Sequence, residues 1–370
     1  SFLYLAEFNP QGTKIVTVDG EGMEIWELKE RSLLSKIDYE KKINSVAFNP
    51  DGTWIITASE DNTAKIWDSE TGKLIIGLEG HKSNVYLAEF NSLGTKVVTA
   101  SADSTAKIWD ISNGKTIGSV ISLEGHLEIV NTAHFTPDGT RVVTTSNDFT
   151  AKVWDSNSGL PLATFQSHKG NVYSAAISSN GKRVVTASRD GSAKIWDTTY
   201  DKLRFTYEAS QVRGLYGLFA SKEPRVITTD SNDRVKIWDA TNKLLVELSL
   251  PITGITLVEF NPSGRHLVTV DYRDSVKIWD IKTGGMLLSL DGSTAAFSSD
   301  SKYLATVAKD KNIKIWDSET GKLVKTFPSN LNSVNSLRFS PNSNYLVVAG
   351  TSGKERNIGQ VAQVLEFTTG

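Results

Sequence analysis

Cysteine is absent from this 370-residue chain, so disulfides, thiolate metal ligands and cysteine nucleophiles are excluded. The absence fits either redox compartment and selects neither. Charge of one sign is lacking too, because 40 basic and 42 acidic side chains leave a formal net charge of −2. That balance argues against a surface dedicated to nucleic acid or to an anionic membrane, and neither partner is expected. No apolar run approaches the roughly 20 residues that a membrane-spanning helix needs. No secretory signal is visible, and the chain begins at Ser1 rather than Met, so it reads as a piece of a longer protein. The cytoplasm is the expected compartment. Zinc-protease, nucleophile-elbow, dinucleotide and calcium-loop motifs are all missing, and no metal or cofactor is expected.

What the chain does have is a repeat. Eight times a tryptophan closes a short apolar run and an acidic residue follows: Trp26-Glu27, Trp67-Asp68, Trp109-Asp110, Trp154-Asp155, Trp196-Asp197, Trp238-Asp239, Trp279-Asp280 and Trp316-Asp317. Successive tryptophans lie 41, 42, 45, 42, 42, 41 and 37 residues apart. A period near forty with this signature predicts a radial array of four-stranded sheets, a β-propeller. The repeat runs from end to end and overrides the length prior of two or three domains, so residues 1–370 read as one all-β domain.

Residues 81–118 illustrate one unit. Apolar and β-branched runs predict strands at 85–90, 96–101 and 105–109, with a tight hairpin at Ala102-Asp103-Ser104. The turn from Asp110 to Gly114 then leads to a fourth strand expected at 115–119. Such a sheet has two apolar faces and buries them only by stacking on neighbours. Turns such as Asn9-Pro-Gln-Gly12, Asn49-Pro-Asp-Gly52 and Asn261-Pro-Ser-Gly264 recur between first and second strands, where proline presets φ and glycine accepts a positive one. The stretch 68–74 returns unchanged as 317–323, a sign of internal amplification.

These features resemble the WD40-repeat family over the whole chain. In that family a histidine before the first strand, a Ser or Thr in the second, an Asp in the hairpin and the Trp of the third form a buried hydrogen-bond relay. The resemblance implies the same relay in three units: His81, Thr99, Asp103 and Trp109; His126, Thr144, Asp148 and Trp154; His168, Thr186, Asp190 and Trp196. The threonine persists elsewhere as Thr17, Thr57, Thr228, Thr269 and Thr306. The histidine is replaced by Tyr39, Ser210, Pro251 and Asn330, and the 37-residue unit has a shortened loop there. Asn232 and Arg273 stand at the hairpin position, with Asp233 and Asp274 one residue later. A ninth unit without tryptophan follows, its strands expected near 336–341, 345–349 and 360–367 and Leu365 in the tryptophan slot. A single nine-bladed ring is therefore expected, with eight blades and one extruded unit as the alternative.

The bland reading suits most chemistry-bearing residues. The repeated aspartates fit hairpin and strand-end hydrogen bonding rather than metal binding or catalysis. His134 and His266 have no matched catalytic partner in the sequence and read as satisfied positions. Gly350-Thr-Ser-Gly-Lys354 lacks the spacing of a phosphate loop and reads as a hairpin. Trp54, outside the signature, is expected to pack at a blade edge.

The loops before first strands and the hairpin tips between second and third strands should converge on one rim. In WD40 relatives that rim often receives peptides, which points here to Lys42, Glu60, Asn84, Tyr86, Asn171, Tyr173, Arg189, Arg213, Tyr272 and Lys309. Tyrosine and arginine are the types enriched at binding hot spots. The expected function is a non-enzymatic, monomeric scaffold for a protein or peptide partner. The alternatives are a sensor or regulatory domain of a larger protein, and an enzyme that uses the central channel. Units lacking the histidine should be less rigid. Amide exchange measured blade by blade is expected to be slowest in the three complete units, and uniform protection would contradict this.

Overall fold

The computed structural model describes residues 5–19, 22–178, 180–198, 202–208, 225–229, 234–239, 243–249, 254–329, 331–352 and 359–367. Among them every regular element is a β-strand, thirty-four in all. The strands form nine antiparallel sheets, each a meander of sequence neighbours. The contacts divide the chain into two compact units at Ser210/Gln211. The first unit holds blade 1 (5–38), blade 2 (43–78), blade 3 (85–123), blade 4 (130–165) and blade 5 (172–208), each four-stranded. The second holds blade 6 (225–249), blade 7 (255–291), blade 8 (295–327) and blade 9 (333–366). Blades 7 and 8 show four strands, and blades 6 and 9 show three.

Blade 3 explains why the sequence runs as it does. Its second strand, Lys96–Ser101, is buried at five of six positions, because sheets lie against both of its faces. A strand buried on both sides must be apolar throughout, not alternating, and Val97-Val-Thr-Ala100 meets that demand. The third strand, Ala106–Asp110, alternates, with Lys107 partly exposed between buried Ala106 and Ile108. The outermost strand is the most exposed, as Leu74, Val120 and Leu162 of blades 2, 3 and 4 show.

The fourth strand of blade 3 is Val120–Leu123, not the expected 115–119. Trp109 pairs with Val120, whereas Trp67 pairs with Leu74 and Trp316 with Leu323. The intervening loop is therefore four residues longer. Asn113 holds it, its Oδ1 accepting the amides of Lys115 at 3.0 Å and Thr116 at 2.8 Å, and Gly118 N–H closes onto Asp110 O at 2.8 Å. Amides satisfied inside the loop are not available to a ladder.

Five of the indoles lie against the preceding blade. Trp109 joins Ile56, Ile66 and Ile76 of blade 2, Trp154 joins Val98 and Ile108 of blade 3, and Trp196 joins Val143 and Val153 of blade 4. Trp67 and Trp279 repeat the arrangement on blades 1 and 6. Trp109 and Trp154 are 1% exposed, so each hides about 200 Å² and contributes on the order of 5 kcal/mol. In blade 9 Leu346 pairs with Leu365, placing that leucine in the tryptophan slot.

A second seam lies at the start of the second strands. Lys14 of blade 1 reaches Ser69 Oγ at 3.2 Å and pairs with Glu70 in blade 2. Lys96 of blade 3 bonds Asn157 Oδ1 at 2.6 Å, and Arg141 of blade 4 bonds Thr198 O at 3.1 Å. Trp54 holds this position in blade 2. Its ring is half-buried against the blade 2–3 core and faces Gly114, where an added Cβ would stand 3.4 Å from the ring. Trp54 is thus a packing residue at a blade edge.

Candidate functional site

Loop and hairpin are joined by one backbone hydrogen bond in blade after blade. The Glu60 amide donates to Lys42 O at 2.9 Å, Ala102 to Asn84 O at 2.9 Å, Arg189 to Asn171 O at 2.8 Å and Tyr272 to Gly254 O at 2.9 Å. The structure so brings Lys42 beside Glu60 and Asn171 beside Arg189. Lys42, Tyr173, Arg189, Tyr272 and Lys309 are exposed, and Glu60, Asn84, Tyr86 and Asn171 are half-buried. Tyr272 and Lys309 belong to the second unit, the other seven to the first. Arg213 lies outside the described residues, as do Ser210, Asn232, Asp233, Pro251 and Asn330.

Two rim residues escape a search by residue type. Leu127 and Phe149 flank the His126–Asp148 pair and are 85% and 44% exposed. Phe149 sits at φ 70°, a left-handed backbone that costs a bulky residue about 1 kcal/mol. Alignment of repeats would have found them, since they stand where blade 3 has Lys82 and Ser104. In blade 7 Arg273 stacks over its neighbour Tyr272, 5.5 Å from the ring centre.

Beneath the rim the relay is assembled from strand to loop. Trp109 Nε1–H donates to Thr99 Oγ1 at 3.0 Å, and Thr99 Oγ1 lies 2.7 Å from His81 Nε2. His81 Nδ1 is 2.8 Å from Asp103 Oδ2, which also accepts the Lys82 amide at 2.9 Å. Asp103 Oδ1 takes the amide and hydroxyl of Thr105. An ionised carboxylate only accepts, so Nδ1 carries the imidazole proton and Nε2 receives the threonine hydroxyl. Blades 4 and 5 repeat the geometry with His126–Asp148 at 2.7 Å and His168–Asp190 at 2.9 Å. Residues from the loop, the hairpin and two strands are thus locked to one indole.

Burial holds the imidazoles of His81 and His168 below the usual histidine range, against the pull of their aspartates. Burial pushes Asp103 up, but the Thr105 hydroxyl, the Lys82 amide and His81 more than offset it and bring it down to about 2. Asp148 and Asp190 are likewise lowered against burial, by His126 and Thr150 in one case and by the Lys169 amide and Ser192 in the other.

Where the histidine is missing, different groups fill the place. Tyr39 O–H meets Thr57 Oγ1 at 2.6 Å, and its ring packs edge-on to Trp67 at 5.7 Å. Asp61, released from a histidine, pairs with Lys65 at 2.5 Å. Blade 2 therefore keeps a closed network, and amide exchange there should match the three histidine blades. In blade 8 the backbone itself comes in: a Cβ on Gly292 would stand 2.9 Å from Thr306 Cβ. Trp316 still bonds Thr306 at 2.9 Å and Trp279 bonds Thr269 at 3.0 Å. In blade 7 Asp271, not Asp274, accepts the hairpin amides of Arg273 and Ser275, and Asp274 takes the positive φ.

The strand-end aspartates are occupied as turn acceptors. Asp68 Oδ1 receives the amides of Glu70 and Thr71, and Asp155, Asp280 and Asp317 do likewise. Gly350 lies within the strand Tyr345–Ser352, where a Cβ would meet Ser333 O at 1.9 Å, so a close strand approach demands the glycine. His266 opens the second strand of blade 7, its Nδ1 buried with no hydrogen-bond partner among the described residues, so it is not the satisfied position expected. His134 does have a partner that sequence reading missed, Glu89, at 2.6 Å from Nδ1.

The family model described as the IFT122 first beta-propeller matches residues 128–356, and the WD domain, G-beta repeat, matches residues 32–68 and 72–110. The chain belongs to the WD40-repeat β-propeller family, whose members generally act as non-catalytic scaffolds for protein interactions. Among relatives, ribosome assembly protein 4 of Saccharomyces cerevisiae is 36% identical over 69 residues, 18% of this chain and 13% of that protein. The general transcriptional corepressor TUP1 of the same yeast is 43% identical over 44 residues, 12% of this chain and 6% of its own. The dynein assembly factor with WD repeat domains 1 of Danio rerio is 48% identical over 44 residues, 12% of this chain and 11% of its own. Each alignment thus spans a small fraction of its relative. The crystal structure of the computationally designed Ika8 protein aligns with TM-score 0.60 and 24% identity, over 85% of this chain and 95% of that one, a likeness of fold.

Two outcomes are expected of the relay. Thr99→Val strands the Trp109 and His81 nitrogens in the core and should cost about 2–4 kcal/mol by urea unfolding, and a loss below about 0.5 would contradict the geometry. Acid should destabilise in two stages. His81 and His168 are held neutral when folded, so their contribution is full above the ordinary 6.5 and drains as pH falls below it. The Asp103 contribution is full above the ordinary 3.8 and is lost as pH falls toward about 2. Thermal midpoints that stay flat from pH 7 to 3 would refute both.

Proposed function

We propose that this chain is a non-catalytic scaffold that receives a protein or peptide on the rim formed by the loops before first strands and the second-to-third-strand hairpins. The observation that carries the reading is the fixed base beneath exposed anchors. Each relay ties loop, hairpin and core together, so rim side chains are held before a partner arrives and less ordering entropy is lost on binding. Tyr173, about half exposed, and Arg189 supply an aromatic and a guanidinium anchor on that base. Membership of a family of interaction scaffolds supports the same conclusion. The scaffold acts as a monomer, and nucleic acid and membranes are not its partners.

The test is a pull-down with the wild-type chain and the double variant Tyr86→Ala with Tyr173→Ala. A partner held by the rim should bind at least about thirtyfold more weakly to the variant, the loss of one hot spot. Retention of every partner at wild-type affinity would sink the proposal.

A further inference from the structure

The first strands of blades 3, 4 and 5 lie side by side, and at the end away from the rim they open into a cavity of about 400 Å³. Three residues hold equivalent register there: Glu89 opposite Val98, His134 opposite Val143 and Ala176 opposite Val185. Where blades 3 and 4 place large polar groups, blade 5 places alanine, and the cavity opens beside it. The buried rings of Phe90 and Phe135, with Pro137 and Ile177, give it apolar walls.

Its polar content is one-sided. His134 Nδ1 lies 2.6 Å from Glu89 Oε2, and the carboxylate can only accept, so the imidazole proton sits on Nδ1. His134 Nε2 and Glu89 Oε1 are left as acceptors that no described residue fills, on side chains 27% and 36% exposed. No lysine or arginine is among the described residues that line the cavity. Apolar walls beside a carboxylate with one oxygen left open complement an alkyl stem with a cationic donor at its tip.

We propose that this cavity is a binding subsite for the side chain of an arginine or lysine carried by a protein partner. The stem lies against the phenylalanine and proline walls while the guanidinium or ammonium group donates to Glu89 and His134. The subsite does not rest on the rim reading, because the two lie at opposite ends of the same strands.

Calorimetric titration of the full chain with acetyl-Gly-Gly-Arg-Gly-Gly-amide, its lysine counterpart and its citrulline counterpart tests the assignment. Citrulline keeps the arginine shape without the charge. At least one cationic peptide is expected to bind, the citrulline peptide at least tenfold more weakly, and Glu89→Gln should weaken the cationic peptide at least tenfold with its thermal midpoint within a few degrees of wild type. If that variant unfolds, Ala176→Leu, which narrows the cavity, is expected to give the same loss. Tyr86→Ala with Tyr173→Ala should bind the peptide normally, so this subsite and the rim can each fail alone. Equal binding of citrulline and arginine peptides, unchanged binding in the folded cavity variants, or no binding at millimolar peptide would overturn the proposal. So would binding of agmatine, a free alkylguanidinium, without either cationic peptide.

Discussion

An indole enters a protein core at little cost only if its N–H finds an acceptor there. In this chain the acceptor is a threonine ten residues upstream, on the neighbouring strand, and the bond recurs in six of the described blades at 2.8–3.0 Å. Everything else follows from satisfying that one donor. With its polar edge accounted for, the ring is free to lie on the preceding blade as pure apolar surface, which is what makes one sheet stack on the next. The threonine in turn has a hydroxyl proton to place, and in blades 3, 4 and 5 it hands it to a histidine in the loop. The packing of the core and the shape of the rim are therefore one network.

Much of this is legible in the residues. The tryptophan period announces eight of the nine sheets, the second-strand runs announce burial on both faces, and the leucine of blade 9 occupies the place its alignment implies. What resists reading is whatever depends on a neighbouring repeat. The fourth strand of blade 3 shifts because Asn113 captures amides that composition alone would give to a ladder. The Glu89–His134 contact joins residues 45 apart, invisible along the chain yet evident once the repeats Val85–Phe90 and Val130–Phe135 are laid in register. Tyr39 looks like a lost histidine until its hydroxyl is seen on Thr57.

The blades differ mainly in how they replace the histidine. Imidazole, phenol and bare backbone at Gly292 fill the same space over the threonine. Only the first of these takes up a proton as the pH falls, so blades of one architecture respond to pH unequally. The rim and the Glu89–His134 cavity are places where neighbouring repeats differ in chemistry on a common frame.

Trp54 and Gly114 carry a further consequence. Lysine or arginine fastens the seam at this position in blades 1, 3 and 4, reaching across to the next blade's turn, whereas blade 2 presses a flat ring onto a glycine of an enlarged turn. Neither half of that arrangement is useful alone. Copying or exchanging a single module would separate the ring from the enlarged turn it packs on. Heredity in this stretch should accordingly travel in pairs of modules, with the unit of successful shuffling set by the joint between blades rather than by the blade.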